Sequence, residues 1–194
     1  MQQVCVFCGS YTGSKPVYME SAHQMGLGLA QRGLGLVYGG GRVGLMGAVA
    51  DGVIAGDGKT VGVIPQSLVD RELAHKGLSE IHVVTSMHER KAMMAEIADA
   101  FVAMPGGFGT LDELFEIITW AQLGFHHKPI ALLNIDGYFN PMLVFIEHMA
   151  VEGFIKPADR SAVLVRNTVD KLLDALLSYQ PPQLEKWLKK PEEL

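Results

Sequence analysis

Short apolar runs alternate with longer segments of helical periodicity along most of this chain, and that alternation limits its possible folds. Seven runs have the length and composition of buried strands: residues 4–7, 34–37, 60–64, 81–85, 100–104, 130–133 and 162–165. Helical spacing of apolar residues fills the intervals, at residues 16–32, 45–55, 87–99, 111–123, 139–152 and 169–177. Such strands join through right-handed crossovers into a sheet covered by helices on both faces. The sequence therefore predicts a Rossmann-like α/β fold with a mostly parallel sheet.

The domain organisation follows from length and from one proline pair. The 194 residues fit a single domain with a sizeable core. Pro181 and Pro182 end the last helical pattern. We predict one domain over residues 1–180 and a loosely attached tail over residues 181–194.

Composition and charge narrow the possible partners. Hydrophobic residues make up 48% and charged residues 19%, so we expect a partner subunit to cover part of the apolar surplus. The net charge of −5 argues against binding to nucleic acid or to an anionic membrane. The chain shows no basic leader and no apolar run of about 18 to 20 residues, and we expect a cytoplasmic protein.

The candidate metal ligands form no recognisable site. Cys5 and Cys8 lie in an apolar strand-like run, where their spacing directs them to opposite faces. Two cysteines make neither a zinc site nor a disulfide framework, and the seven histidines show no HExxH spacing. We predict no metal.

A glycine-rich stretch, PGGFGTLDE at residues 105–113, joins the fifth predicted strand to a helix. Glycines lack the Cβ atoms that keep an anion away from the backbone, and the first turn of a helix offers unpaired N–H groups. No Gly-Lys-Ser/Thr follows, which excludes a Walker loop, and we place no dinucleotide fingerprint with a ribose carboxylate. The stretch predicts a phosphate site that needs no lysine.

The same stretch has a purely structural alternative. Thr110 followed by Glu113 has the spacing of a capping box, which serves only to satisfy the first amides of a helix. Three glycines in the four preceding residues favour ligand binding over that alternative.

The PGGFGTLDE stretch resembles the PGGxGTxxE signature of the LONELY GUY family, cytokinin riboside 5′-monophosphate phosphoribohydrolases formerly labelled lysine decarboxylases. Three further segments are similar to the same family: FCGS at residues 7–10, YGGG with GLMG at residues 38–47, and MHERK at residues 87–91. The resemblance runs from about residue 4 to residue 154.

The resemblance implies which residues bind substrate. It makes Glu113 and Arg90 the catalytic candidates. It also implies substrate contacts at Glu72, Arg90, Lys91, Gly107, Phe108, Gly109, Thr110, Leu111, Asp112, Glu113 and Thr119. Ligands bind beyond the carboxyl ends of parallel strands, so we add the residues of two loops at that edge: Gly9, Ser10, Gly40 and Gly41.

The function implied is hydrolysis of the N-glycosidic bond of a purine nucleoside 5′-monophosphate to the free base and ribose 5-phosphate. This bond breaks through an oxocarbenium-like sugar, which the carboxylate of Glu113 would stabilise while it orients or deprotonates water. Arg90 would orient the substrate, and Gly107, Gly109 and Thr110 would hold the phosphate. No cofactor is needed for this chemistry.

Two other functional classes remain open. A pyridoxal-phosphate lysine decarboxylase would need a Schiff-base lysine, for which Lys91 is available, but no partner for the pyridinium is apparent. A non-enzymatic nucleotide-binding protein would use the glycine loops without needing Arg90 and Glu113.

Two further expectations have simpler alternatives. Without the resemblance, Arg90 and Lys91 would be read as a solvated basic pair balanced by Glu89 and Glu96. We expect a homodimer through apolar residues beside the site, although helical spacing alone would make them core. These residues are Met87, Met93, Met94, Ile97, Trp120 and Phe125.

Overall fold

The computed structural model describes residues 1–70, 73–156 and 163–180. Its strands are β1 (Gln3–Phe7), β2 (Gly35–Tyr38), β3 (Thr60–Pro65), β4 (Glu80–Val84), β5 (Ala100–Ala103), β6 (Ile130–Leu133) and β7 (Val163–Arg166). Its helices are α1 (Pro16–Gln31), α2 (Gly44–Ala55), α3 (Gln66–Val69), α4 (Met87–Ile97), α5 (Phe108–Leu123), α6 (Asn140–Val151) and α7 (Val169–Leu177). The predicted tail at residues 181–194 and Ala162 of the seventh predicted strand lie outside the described residues.

The described strands form one sheet in the order β4-β3-β2-β1-β5-β6-β7, and every neighbouring pair is parallel. This confirms the predicted α/β fold. From β1 the chain continues through the strands on one side, and from β5 it continues through the strands on the other. The helices that follow these two strands, α1 and α5, therefore pack on opposite faces of the sheet. A crevice opens at such a switch point, beyond the carboxyl ends of the strands.

Two apolar cores cover the two faces of the sheet. Residues of α1, α2 and α7 pack on one face, and residues of α4 and α5 with Phe139 pack on the other. Cys5 belongs to the second core and Cys8 to the first, which confirms their opposite orientation, and both are free thiols. Helices α1 and α2 touch backbone to backbone, since a Cβ on Gly26 would lie 2.1 Å from the Val49 carbonyl oxygen.

Three differences from the predicted helices are larger than one residue. Helix α5 begins at Phe108 and not near Leu111, and a short helix, α3, follows β3 where the sequence predicts none. Helix α4 ends at Ile97, because the backbone of Ala98 is extended with φ −78° and ψ 146°. None of the helices in the described residues is long and apolar enough to cross a membrane.

Helix α6 forms an outer layer with no fully buried residue. Val144 is 70% exposed and Phe145 57% exposed. Between α5, α6 and β7 lies a cavity of about 760 Å³. This region is called the α5–α6 face below.

Candidate active site

A cavity of about 700 Å³ opens at the switch point between β1 and β5. The loops after β1, β2 and β5 line it together with the first turns of α4 and α5. The loops after β1 and β5 are joined directly, since the Gly9 amide donates to the Pro105 carbonyl oxygen at 3.0 Å. Residues from several loops therefore meet at the carboxyl edge of the sheet.

Most of the predicted site residues meet in this cavity. Those in its lining are Gly9, Ser10, Gly41, Arg90, Gly107, Phe108, Gly109, Thr110, Asp112 and Glu113. Gly40, Lys91 and Leu111 are not part of the lining, and Leu111 packs against the core. Thr119 lines the cavity of the α5–α6 face instead. Glu72 lies outside the described residues, although Leu68 and Leu73 on either side of it line the active-site cavity.

The amino terminus of α5 has no side-chain cap. Gly107 is the N-cap residue and Thr110 is already inside the first turn, buried to 4% exposure. The first intrahelical bond of this turn runs from the Leu111 amide to the Gly107 carbonyl oxygen at 3.1 Å. The capping-box alternative is therefore wrong, since the N-cap is Gly107, three residues before Thr110. The first backbone N–H groups of α5 therefore have no side-chain cap and can donate to an acceptor outside the helix.

The three glycines of this loop have different environments. A Cβ on Gly106 would lie 2.1 Å from the Thr110 hydroxyl and 2.8 Å from the Gly9 amide nitrogen, so packing requires a glycine there. A Cβ on Gly107 or Gly109 would have no neighbour within 4 Å, and neither residue has a positive φ. Neither packing nor backbone conformation explains these two glycines. Both border the cavity, and a Cβ on either would meet only open space.

Arg90 and Glu113 form a buried ion pair at the floor of the cavity. The Nη2 atom of Arg90 lies 3.5 Å from Oε1 of Glu113, and each residue is 8% exposed. Burial raises the pKa of Glu113 to about 7, although the nearby Arg90 guanidinium opposes the change. A carboxyl group with such a pKa exchanges protons near neutrality, as a catalytic acid or base requires.

Gly39 makes room for the Arg90 guanidinium. A Cβ on Gly39 would lie 1.8 Å from the Nη2 atom of Arg90. The Nη1 atom contacts the Met87 sulfur at 3.7 Å, while the buried Nε has no hydrogen-bond partner among the described residues. Arg90 is therefore no solvated surface cation, and that alternative is wrong. A buried donor without an acceptor costs free energy, so a ligand that supplied one would be bound more tightly.

Lys91 is not part of the cavity lining and joins α4 to α5. Its Nζ lies 3.1 Å from carboxylate oxygens of both Asp112 and Glu116. Burial alone would lower the pKa of Lys91, but the hydrogen bonds to these carboxylates outweigh it and the pKa is raised. A lysine with a raised pKa is a poor nucleophile.

The glycine loop after β2 does not offer helix amides to a ligand. The amides of Leu45 and Met46, at the start of α2, donate to the Gly9 carbonyl oxygen at 3.0 and 3.3 Å. Gly44 has a φ of +60°, and a Cβ on it would lie 2.3 Å from the Ser10 carbonyl carbon. These contacts hold the loops after β1 and β2 together. The amino terminus of α5, in contrast, borders the cavity.

Among the site residues that the sequence interpretation missed, two make specific contacts. Gly39 seats Arg90, and Tyr138 lines the cavity while its hydroxyl donates to the Gly106 carbonyl oxygen. Tyr138 follows an Asp-Gly pair just after β6, at the carboxyl edge of the sheet. That position is the signal that would have identified it. The described residues hold no cluster of three or more His, Cys, Asp or Glu side chains arranged for a metal ion.

Comparison with known proteins gives sequence relatives along almost the whole chain. A family model described as possible lysine decarboxylase matches residues 46–176. A probable cytokinin riboside 5′-monophosphate phosphoribohydrolase of Oryza sativa subsp. japonica is 51% identical over 181 residues, covering 93% of this chain and 74% of the relative. A cytokinin riboside 5′-monophosphate phosphoribohydrolase of Arabidopsis thaliana is 50% identical over 180 residues, covering 93% of this chain and 83% of the relative.

Solved structures share the fold at much lower identity. The molybdenum cofactor binding protein of Rippkaea orientalis aligns with a TM-score of 0.71 and 22% identity, over 91% of this chain and 96% of that one. The molybdenum cofactor carrier protein of Chlamydomonas reinhardtii aligns with a TM-score of 0.71 and 20% identity, over 92% of this chain and 99% of that one. At this identity the likeness concerns the fold alone.

Proposed function

Since the chain belongs to the LONELY GUY family of cytokinin riboside 5′-monophosphate phosphoribohydrolases, we propose that it hydrolyses purine nucleoside 5′-monophosphates at the N-glycosidic bond. The products are the free base and ribose 5-phosphate. The single observation that carries the proposal is the buried Arg90–Glu113 pair beside the uncapped amino terminus of α5.

The 5′-phosphate is proposed to bind at the start of α5. Gly107 and Gly109 leave the backbone open there, and the helix dipole favours a negative charge. The Thr110 hydroxyl, buried in the first turn, supplies a further donor. This placement puts the sugar of the substrate between the phosphate site and Glu113.

Glu113 is proposed to act on the sugar and on water. Its carboxylate stabilises the positive charge that develops on the sugar as the base departs, and it takes a proton from the attacking water. Arg90 holds Glu113 from one side, with Nη2 3.5 Å from Oε1 of Glu113. The apolar part of the cavity, with Met46, Ile64 and Met87, faces the base.

The direct test is to incubate the purified protein with AMP and with isopentenyladenosine monophosphate and to measure both products. We expect free base and ribose 5-phosphate in equal amounts from at least one of these substrates. Tight binding of both nucleotides without any base release would instead indicate a non-enzymatic nucleotide-binding protein.

The family description also names lysine decarboxylation, which the geometry disfavours. The candidate Schiff-base residue, Lys91, is held by Asp112 and Glu116 and is absent from the cavity lining. Production of cadaverine from lysine, or an aldimine absorbance in the purified protein, would contradict the proposed function.

The proposal includes a homodimer formed through the α5–α6 face. Val144 and Phe145 of α6 are exposed there, beside the cavity that Thr119 lines. The residues that the sequence proposed for the interface differ in exposure. Met94 is fully buried in the core, whereas Met87 and Phe125 are 45% and 51% exposed. In a dimer, Thr119 would act in the active site of the neighbouring subunit, which explains its distance from the cavity of its own chain.

A further inference from the structure

The loop that opens α5 is fixed on both sides of Gly106. The Pro105 carbonyl oxygen accepts from the Gly9 amide at 3.0 Å, and the Gly106 carbonyl oxygen accepts from the Tyr138 hydroxyl at 2.5 Å. Two consecutive peptide planes are thereby held in place, one by the loop after β1 and the other by the segment after β6.

The orientation of the second plane decides where the Gly107 amide points. In a trans peptide the C=O and the following N–H point in opposite directions. Because Tyr138 binds the Gly106 carbonyl oxygen, the Gly107 N–H is directed away from Tyr138. This amide makes no hydrogen bond to another described residue, and Gly107 borders the cavity.

The Tyr138 ring contacts two other aromatic rings. It packs edge to face against Tyr18 and Phe139, with ring centroids 5.9 and 5.1 Å apart. The backbone behind it is fixed by Asn134, which accepts from the Phe139 amide at 2.8 Å and donates to Asn140 at 2.8 Å.

The turn that carries Tyr138 is also tied to the opposite side of the switch point. Asp136 has a φ of 49° and Gly137 a φ of 70°, so the chain reverses tightly just after β6. Asp136 pairs with Lys15, which directly precedes α1. These contacts keep the Tyr138 hydroxyl beside its acceptor, the Gly106 carbonyl oxygen.

We propose that Tyr138 is a positioning residue for the phosphate of the substrate, acting through the Gly106–Gly107 peptide. It keeps the Gly107 amide aimed at the anion without contacting the reacting bond. The inference rests on the proposed function for the identity of the anion, a nucleoside 5′-monophosphate.

Tyr138→Phe tests the inference, because it removes the hydroxyl and keeps the ring packing. We expect its kcat/KM for AMP to fall by about 3- to 10-fold, the value of one hydrogen bond, with adenosine turnover unchanged. Calorimetry should show that ribose 5-phosphate binds more weakly by about the same factor, while ribose binding is unaltered. Tyr179→Phe, which removes a hydroxyl outside the cavity, serves as the matched control and should change none of these values.

The measurements separate failure of the inference from failure of the proposed function. An equal loss for AMP and adenosine would assign Tyr138 a purely structural role, and unchanged ribose 5-phosphate affinity would remove its role altogether. Either result leaves the hydrolase proposal standing if the parent protein cleaves AMP. Absence of base release from any nucleotide by the parent protein would overturn the proposed function, whereas the calorimetric comparison would still test Tyr138.

Discussion

At the scale of single residues, the protonation of Glu113 should govern the pH dependence of catalysis. Burial raises its pKa to about 7, so the carboxylate form is depleted in mildly acidic solution. The carboxylate is the form that stabilises an oxocarbenium-like sugar. We therefore expect kcat/KM to rise with pH through a midpoint near 7 and then to level off.

Glu113→Gln is the variant that checks this assignment. Turnover should fall by about 10² to 10⁴, and the rise with pH should disappear. Glu96→Gln, at an exposed carboxylate of α4 away from the cavity, should keep both turnover and the pH profile. A folded Glu113→Gln protein with near-normal turnover would rule out a catalytic role for this carboxylate.

A substitution at Gly39 tests whether the position of the Arg90 guanidinium matters for activity, without replacing Arg90 itself. A Cβ at position 39 would displace the guanidinium from its place beside Glu113. We expect Gly39→Ala to lower kcat/KM substantially with little loss of thermal stability, since the displaced atoms are the mobile end of a side chain. In an Arg90→Ala background the same change should cost little more activity, as a double-mutant cycle would show. Additive losses would mean that Gly39 acts independently of Arg90.

At the scale of elements, the loop that opens α5 combines one glycine that packing requires with two that we propose serve ligand access. Gly109→Ala should stabilise the helix by about 0.5 to 1 kcal/mol, because alanine is the better helix former and a Cβ there meets nothing. The same variant should lose affinity for ribose 5-phosphate. Gly107→Val should also fold and lose this affinity, since its side chain would occupy the space in front of the Gly107 amide.

Gly106→Ala is the contrasting variant for this loop. Its Cβ would meet both the Thr110 hydroxyl and the Gly9 amide, so we expect a lower melting temperature. Calorimetry with thermal unfolding distinguishes the two kinds of glycine. Normal ribose 5-phosphate affinity in Gly109→Ala and Gly107→Val would show that the turn does not bind phosphate.

The elements that the sequence predicted well are those with a strong hydrophobic period. The strand at residues 130–133 and the helix at residues 169–177 were predicted at their observed bounds, because buried runs and amphipathic faces leave a direct pattern. The start of α5 was misplaced because Phe108 and Gly109 carry no helical pattern, and tertiary packing of the loop decides where the helix begins. The contacts of Gly39 with Arg90 and of Tyr138 with Gly106 were missed because they are long-range, and local sequence does not reveal such contacts. The only signal for Tyr138 was its position after β6, at the carboxyl edge of the sheet.

At the scale of the whole molecule, the α5–α6 face should decide the oligomeric state. We expect a dimer at micromolar concentration, and we expect Phe145→Glu to produce monomers because it places a charge within the apolar face. Val17→Glu, at a partly exposed position on α1, is the matched control and should leave the dimer intact. A parent protein that sediments as a monomer would remove the dimer and the proposed role of Thr119 in a neighbouring site.

The central claim is that the amino terminus of α5 binds the 5′-phosphate and thereby positions the sugar against Glu113. The measurement that tests it most directly is kcat/KM for AMP compared with adenosine. Charge-assisted contacts are worth about 1.5 to 3 kcal/mol each, so the loss of two of them predicts a preference for AMP on the order of 10² to 10⁴. Equal kcat/KM values for the two substrates would contradict the account, because the phosphate would then contribute nothing to catalysis.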